Sequence, residues 1–280
     1  MMCRGKTGEF SSEQKVKLIM AKGTPRKNWS REETILAYEL YCRTPFGRIH
    51  SRNPEIIELA NLIGRTSGSV ALKMSNLARF DPELQKRNIT AMPHGSKMDG
   101  IVFEEFSKDW QELSYQAQII RAQLQNKDVA EIIGLEDIES IPSGEYRERM
   151  MKTRVGQYFF RKSVLNSYGN HCCITGINKA ELLIASHIKP WAVSDEHTER
   201  TNPSNGLCLN ALHDKAFDKG LITLDSQYRI IISNRIRDVE MDKETSAWFW
   251  KYDKQSIDLP DKFLPGKRFI EYHNDVVFQR

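Results

Sequence analysis

Between Trp29 and Phe80 apolar residues recur at helical spacing in three short runs. Ser30 with Glu33 forms a capping box, and Trp29 precedes it as a hydrophobic staple. The helix they open carries Ile35, Leu36, Tyr38, Leu40 and Tyr41. Asn53-Pro54 is a second cap with proline at the first helical position, and Ile56, Ile57, Ala60 and Ile63 follow before Gly64 ends the run. Only Arg65 and Thr66 then precede a third run, Val70, Met74 and Leu77, closed by Phe80-Asp81-Pro82. Two short helices joined by a tight glycine-containing turn make a helix-turn-helix-like arrangement. A further helix is expected between Ser12 and Lys22. Others are expected from Ile101 through Phe106, Trp110 and Leu113 to Leu124, and around Val155, Tyr158, Phe159, Val164 and Leu165.

After this point the rhythm changes. Leu182-Leu183-Ile184 and Leu207-Cys208-Leu209 are short apolar runs of strand length, and Pro190 stops the first. Leu221–Leu224 and Tyr228–Ser233 read as a hairpin turning at Asp225-Ser226-Gln227, and the segment from Pro265 to Phe278 reads as helical with His273 on it. The expected fold class is therefore α+β. Residues 1–125 are expected to form a helical, helix-turn-helix-like DNA-binding module, 126–146 an acidic linker, and 147–280 a second domain built on strands and helices.

Composition narrows the class. At 280 residues the chain can bury two modest cores. No apolar run approaches a membrane span, and the N-terminus lacks the apolar centre of a secretory signal. Five unevenly spaced cysteines argue against a disulfide framework and for a reducing, cytoplasmic setting. Cys172-Cys173 and Cys208 are expected as small buried hydrophobes. The net charge of +4 permits nucleic-acid binding without demanding it, so its distribution matters more. Asp128–Glu145 is acidic, and Arg147, Arg149, Lys152, Arg154, Arg161 and Lys162 follow at once on one helix. That helix can clamp a phosphate backbone or simply hold its cations in water. The third N-terminal helix would expose Arg65, Thr66, Ser67, Ser69, Lys73, Asn76 and Arg79, short polar and basic groups suited to base edges and phosphates. A plain three-helix bundle with a solvated face is the alternative. Lys189 joins Arg65, Thr66, Ser69, Lys73, Arg79, Arg154 and Arg161 as an expected DNA contact.

The chemistry gathers between Leu182 and Asp218. His187 ends the first strand, Asn205 follows eighteen positions later, and His213, Asp214 and Asp218 lie on the helix after the second strand. Positions four apart share a helix face, so Asp214 and Asp218 can converge on one point. A lone strand-end histidine is more often structural, Asn205-Gly206 is by itself a turn signal, and Asp218 can pair with Lys215 or Lys219. Together they supply what a one-metal phosphodiester cutter needs.

The order of Ser-His-Ile-Lys-Pro-Trp (Ser186–Trp191) and Asn-Gly-Leu-Cys-Leu-Asn-Ala-Leu-His-Asp-Lys-Ala-Phe-Asp (Asn205–Asp218) resembles the HNH nuclease family, in its restriction-endonuclease-like branch. The resemblance runs from about Arg154 onward, and the helices ahead resemble the module preceding the nuclease domain in that branch. It implies a ββα-metal nuclease domain after the helical module. His187 would be the general base, Asn205 would hold the loop orienting it, and His213, Asp214 and Asp218 would ligate a divalent metal. Ser186 stands where many relatives place a first ligand, Asp218 stands where they place histidine, and no Cys-x-x-Cys pair is present for a structural zinc. An oxygen-rich set selects Mg²⁺ or Mn²⁺, and more imidazole moves the preference toward Zn²⁺, Ni²⁺ or Co²⁺. The expected function is a metal-dependent endonuclease on double-stranded DNA serving restriction or defence, working as a homodimer if both strands are cut at one encounter. Two alternatives stay open: a non-catalytic DNA-binding protein on a nuclease-like fold, and an RNA-directed nuclease toxin.

Overall fold

Ten consecutive residues from Glu33 to Cys42 are buried, so helix α1 (Arg31–Arg43) has no solvated face. A helix buried on every side is one that others surround. In the computed structural model, which describes residues 28–81, 85, 95–134, 144–236 and 240–280, at least five helices pack on it. They include α2 (Pro54–Leu62), α3 (Ser67–Leu77), α4 (Lys97–Phe106), α5 (Trp110–Gln125) and α7 (Glu145–Ser167). Its buried carboxylates are paired, as burial requires. Arg65 bonds Glu33 at 2.7 Å, while Arg43 reaches Glu39 at 2.6 Å and Arg121 approaches Glu39 at 3.6 Å.

The second cap read from sequence is made. Asn53 accepts from the Glu55 amide at 2.9 Å with Pro54 behind it, and Gly64 turns the chain at φ +66°. Thr66 then caps α3 by accepting from the Ser69 amide at 3.2 Å, completing the helix-turn-helix-like pair. Short α6 (Val129–Ile132), capped by Asp128, lies within the stretch expected as an acidic linker and packs on α5. The expected helix at 12–22, and residues 88–94 of the expected basic loop, lie outside the described residues, as do 135–143.

Residues Arg31–Arg280 form one compact unit. Helix α7, 23 residues long, packs on α1 and α5 and also on two antiparallel strands, β1 (Leu183–His187) and β2 (Gly206–Asn210). The approach is close. A Cβ on Gly206 would lie 2.4 Å from Val164 Cγ2 and 2.9 Å from Phe160, so glycine is needed here for space rather than for a turn. Helix α8 (Ala211–Asp218) follows β2 directly, and the hairpin of β3 (Ile222–Leu224) and β4 (Ile230–Ile232) packs behind it. After α9 (Lys243–Trp250) and α10 (Lys267–Tyr272), a π-helical turn at His273–Val277 closes against Gly220, where a Cβ would meet the Val277 carbonyl. Cys172, Cys173 and Cys208 are buried free thiols in this core, as their apolar setting suggested.

Polar ties link the halves of the unit. Lys262 is buried and donates to the carbonyls of Tyr41 and Thr44, both at 2.8 Å, capping the end of α1. Asn166 donates to the Arg43 carbonyl at 2.7 Å, and Trp110 stacks on Phe159. The architecture is helix-rich α+β with small antiparallel sheets. Among the described residues no helix is long and apolar enough to cross a membrane.

Candidate active site

The ββα unit is assembled by register. His187, last in β1, pairs with Gly206, first in β2, so His187 and Asn205 meet at one end of the ribbon. At the other end Asn210 caps α8, accepting from the Leu212 and His213 amides at 3.1 Å, and the helix runs back along the strands.

His187 is held on three sides. Its ring stacks on Phe160 at 4.0 Å and 12°, with Trp191 edge-on at 5.6 Å. Its Nε2 lies 2.9 Å from the Arg200 carbonyl oxygen. A carbonyl only accepts, so Nε2 carries the proton and Nδ1 keeps its lone pair. Burial pushes the imidazole pKa below its usual value, although the Arg200 carbonyl and the Asp218 charge pull it back. The neutral ring with a free Nδ1 is the form a general base requires.

Asn205 is fully buried and staples the loop. Its Oδ1 accepts from the Lys189 amide at 2.8 Å, and its Nδ2 donates to the carbonyls of Lys189 at 3.1 Å and Glu199 at 3.3 Å. Thus it fixes both the segment after His187 and the segment carrying the Arg200 carbonyl.

The three residues expected as metal ligands are not brought to one point. Asp218 is exposed near His187, and Asp214, half-buried one turn earlier, faces Ser186. Burial raises the Asp214 pKa, the Ser186 hydroxyl lowers it, and the Asp218 charge raises it again. His213 does not join them. Its Nδ1 sits 2.9 Å from Asn210 Nδ2, its Nε2 donates to the Trp248 carbonyl at 3.0 Å, and Phe249 and Tyr252 enclose the ring. One residue before Asp214 on a helix is about 100° around the axis, which turns this side chain into the core.

Among the described residues no group of three or more His, Cys, Asp or Glu side chains is gathered as a metal cage. Asp214 and Asp218 nevertheless offer two carboxylates on one face. Ser186 Oγ is buried beside them without a hydrogen-bond partner of good geometry. That partial oxygen set fits a hard divalent cation, which readily takes its remaining ligands from water and phosphate.

The expected DNA contacts divide. Lys73 is buried in an ion pair with Asp99, so it is not on an exposed face of α3. Arg65 is committed to Glu33, Arg79 lies over the Phe80 ring, and Lys189 pairs with Glu199. Thr66 is exposed, although its hydroxyl serves as the α3 cap that holds the half-buried Ser69. Arg154 and Arg161 are exposed on α7, and Arg161 donates to the Leu183 carbonyl at 3.0 Å. Arg161 also lines a cleft of ≈ 300 Å³ with Gln157, Phe160, Ile184, Ala185, His187 and Trp191.

Several contributors escaped the sequence reading. Arg200 acts through its backbone, which has no side-chain signature. Phe160 and Trp191 act as walls. Asn210 was findable, because asparagine before a helix is a cap signal.

Residues 172–225 match the family model described as HNH endonuclease. No curated protein matches the chain. The match places this segment in the HNH endonuclease family, which accounts for the strand–strand–helix order around His187, Asn205 and Asp218.

Proposed function

We propose that the chain is a divalent-metal-dependent endonuclease that hydrolyses phosphodiester bonds in double-stranded DNA, in restriction or defence against foreign DNA. The observation that carries the reading is the His187 contact with the Arg200 carbonyl, which leaves Nδ1 as a neutral acceptor on a ring that lines the cleft. In the reaction Nδ1 takes a proton from water, and the hydroxide forms its bond to phosphorus as the 3′ oxygen leaves. Asn205 keeps the imidazole in place by holding both loop segments. Asp214 and Asp218, with Ser186 beside them, would hold the metal. A bound divalent cation neutralises charge on the phosphate and the leaving oxygen. Their oxygen chemistry favours Mg²⁺ or Mn²⁺. Arg161, at the cleft wall, would receive a phosphate.

The test is digestion of plasmid, modified and unmodified, beside structured RNA, across Mg²⁺, Mn²⁺, Zn²⁺, Ni²⁺ and Co²⁺. Metal-dependent DNA cleavage lost in His187→Ala is the expected result. Cleavage of RNA alone, or DNA binding without cleavage under every metal, overturns it.

A further inference from the structure

Helix α7 does more than buttress β2. Tyr146, Arg149, Met150, Thr153, Arg154 and Gln157 line a groove of ≈ 530 Å³ along it. Gln157 also lines the His187 cleft, so the groove and the cleft adjoin at that residue. These positions recur at three- and four-residue intervals, which puts them on one face. The face is cationic and accessible. Arg154 has no acidic partner among the described residues, and the Arg149 side chain is 74% exposed with only a 3.9 Å approach to Glu196. Thr153 is tied to the Arg149 carbonyl, and Tyr146 presents an exposed ring at the far end.

Beyond Arg149 the charge changes sign. Asp109, Glu112, Glu145, Glu148 and Glu196 line the adjoining depression with Arg149, Lys152 and His197, so its carboxylates outnumber its cations and its net charge disfavours phosphate.

Resting on the nuclease reading above, we propose that this groove carries one strand of the duplex substrate into the His187 cleft, with Arg149 and Arg154 as its phosphate contacts and the acidic wall as its end. From Arg149 to Arg161 the helix rises about 18 Å, at about 1.5 Å per residue, which matches about five nucleotides at 3.4 Å each. The groove thereby fixes which side of the scissile bond is held, and over what length.

The test is binding of the full chain to duplex DNA without divalent metal, by anisotropy, with log affinity read against log salt. Arg149→Ala/Arg154→Ala should reduce the slope by about two and weaken binding on the order of tenfold, because each lost contact removes about 0.9 from the slope. Arg149→Lys/Arg154→Lys should restore the slope, which a merely structural role would not allow. An unchanged slope in the alanine variant, at unchanged Tm, overturns the groove. Plasmid cleavage by the wild-type chain is followed in parallel. Absence of cleavage under every metal would count against the nuclease, while the salt slope alone decides the groove.

Discussion

The His213 imidazole and the Trp248 carbonyl are joined at 3.0 Å, so the helix bearing Asp214 and Asp218 is bolted to α9. With Asn210 at its other nitrogen, His213 has no lone pair left for a metal without breaking a buried contact. His213→Ala should therefore lower Tm while Mn²⁺ still binds, whereas Asp218→Asn should abolish binding at nearly unchanged Tm. Losing a buried bond and leaving the Trp248 carbonyl unpaired costs about 1–3 kcal/mol. Calorimetric titration with Mn²⁺ beside thermal melts decides it; loss of metal by His213→Ala at unchanged Tm would return the ligand role to that residue.

His187→Ala should retain DNA affinity and lose cleavage by about 10²–10⁴-fold, the usual contribution of a positioned base. Single-turnover rates and filter binding on one preparation separate the two effects.

Gly156 faces the loop that carries the Arg200 carbonyl, and a Cβ there would lie 2.8 Å from Thr201 Cγ2. Gly156→Ala should push that loop away from His187. Cleavage should fall at least tenfold, about 1.4 kcal/mol of barrier, with little change in DNA affinity. Unchanged cleavage would mean that the loop absorbs a methyl without moving the carbonyl.

His273 is buried against Phe217, donates from Nε2 to the Phe217 carbonyl at 3.1 Å, and keeps Nδ1 as an acceptor 2.8 Å from the Thr223 hydroxyl. Burial pushes its pKa from 6.5 down to about 4. The unfolded chain therefore takes up a proton near pH 6.5 that the folded chain refuses until about pH 4. Its contribution to stability is present above pH 6.5 and is lost progressively as pH falls toward 4, by about 3 kcal/mol in all. Urea midpoints between pH 7 and 4 should fall more steeply in wild type than in His273→Gln.

How far the sequence could be read depended on sequence distance. A cap such as Asn53 uses a partner two residues away, so its signal is local. The shared face of Asp214 and Asp218 follows from helix period alone. Lys73 and Arg65 looked exposed because their partners, Asp99 and Glu33, lie 26 and 32 residues off. His213 looked like a ligand for the same reason, its partner Trp248 being 35 residues later. The hold on His187 was hidden differently, since a backbone carbonyl leaves no mark on residue identity.

The Lys262 cap has a consequence for synthesis. It closes on Tyr41 across 221 residues, so on the ribosome the Tyr41 and Thr44 carbonyls wait for this partner until Lys262 has been made. At about 5–20 residues per second that delay is tens of seconds at the slow end, well after His187 and Asp218 have been added. The order of translation thus makes one buried amine the latch: His187 and Asp218 are polymerised before it, and the helix around which the N-terminal half packs is sealed only when Lys262 arrives.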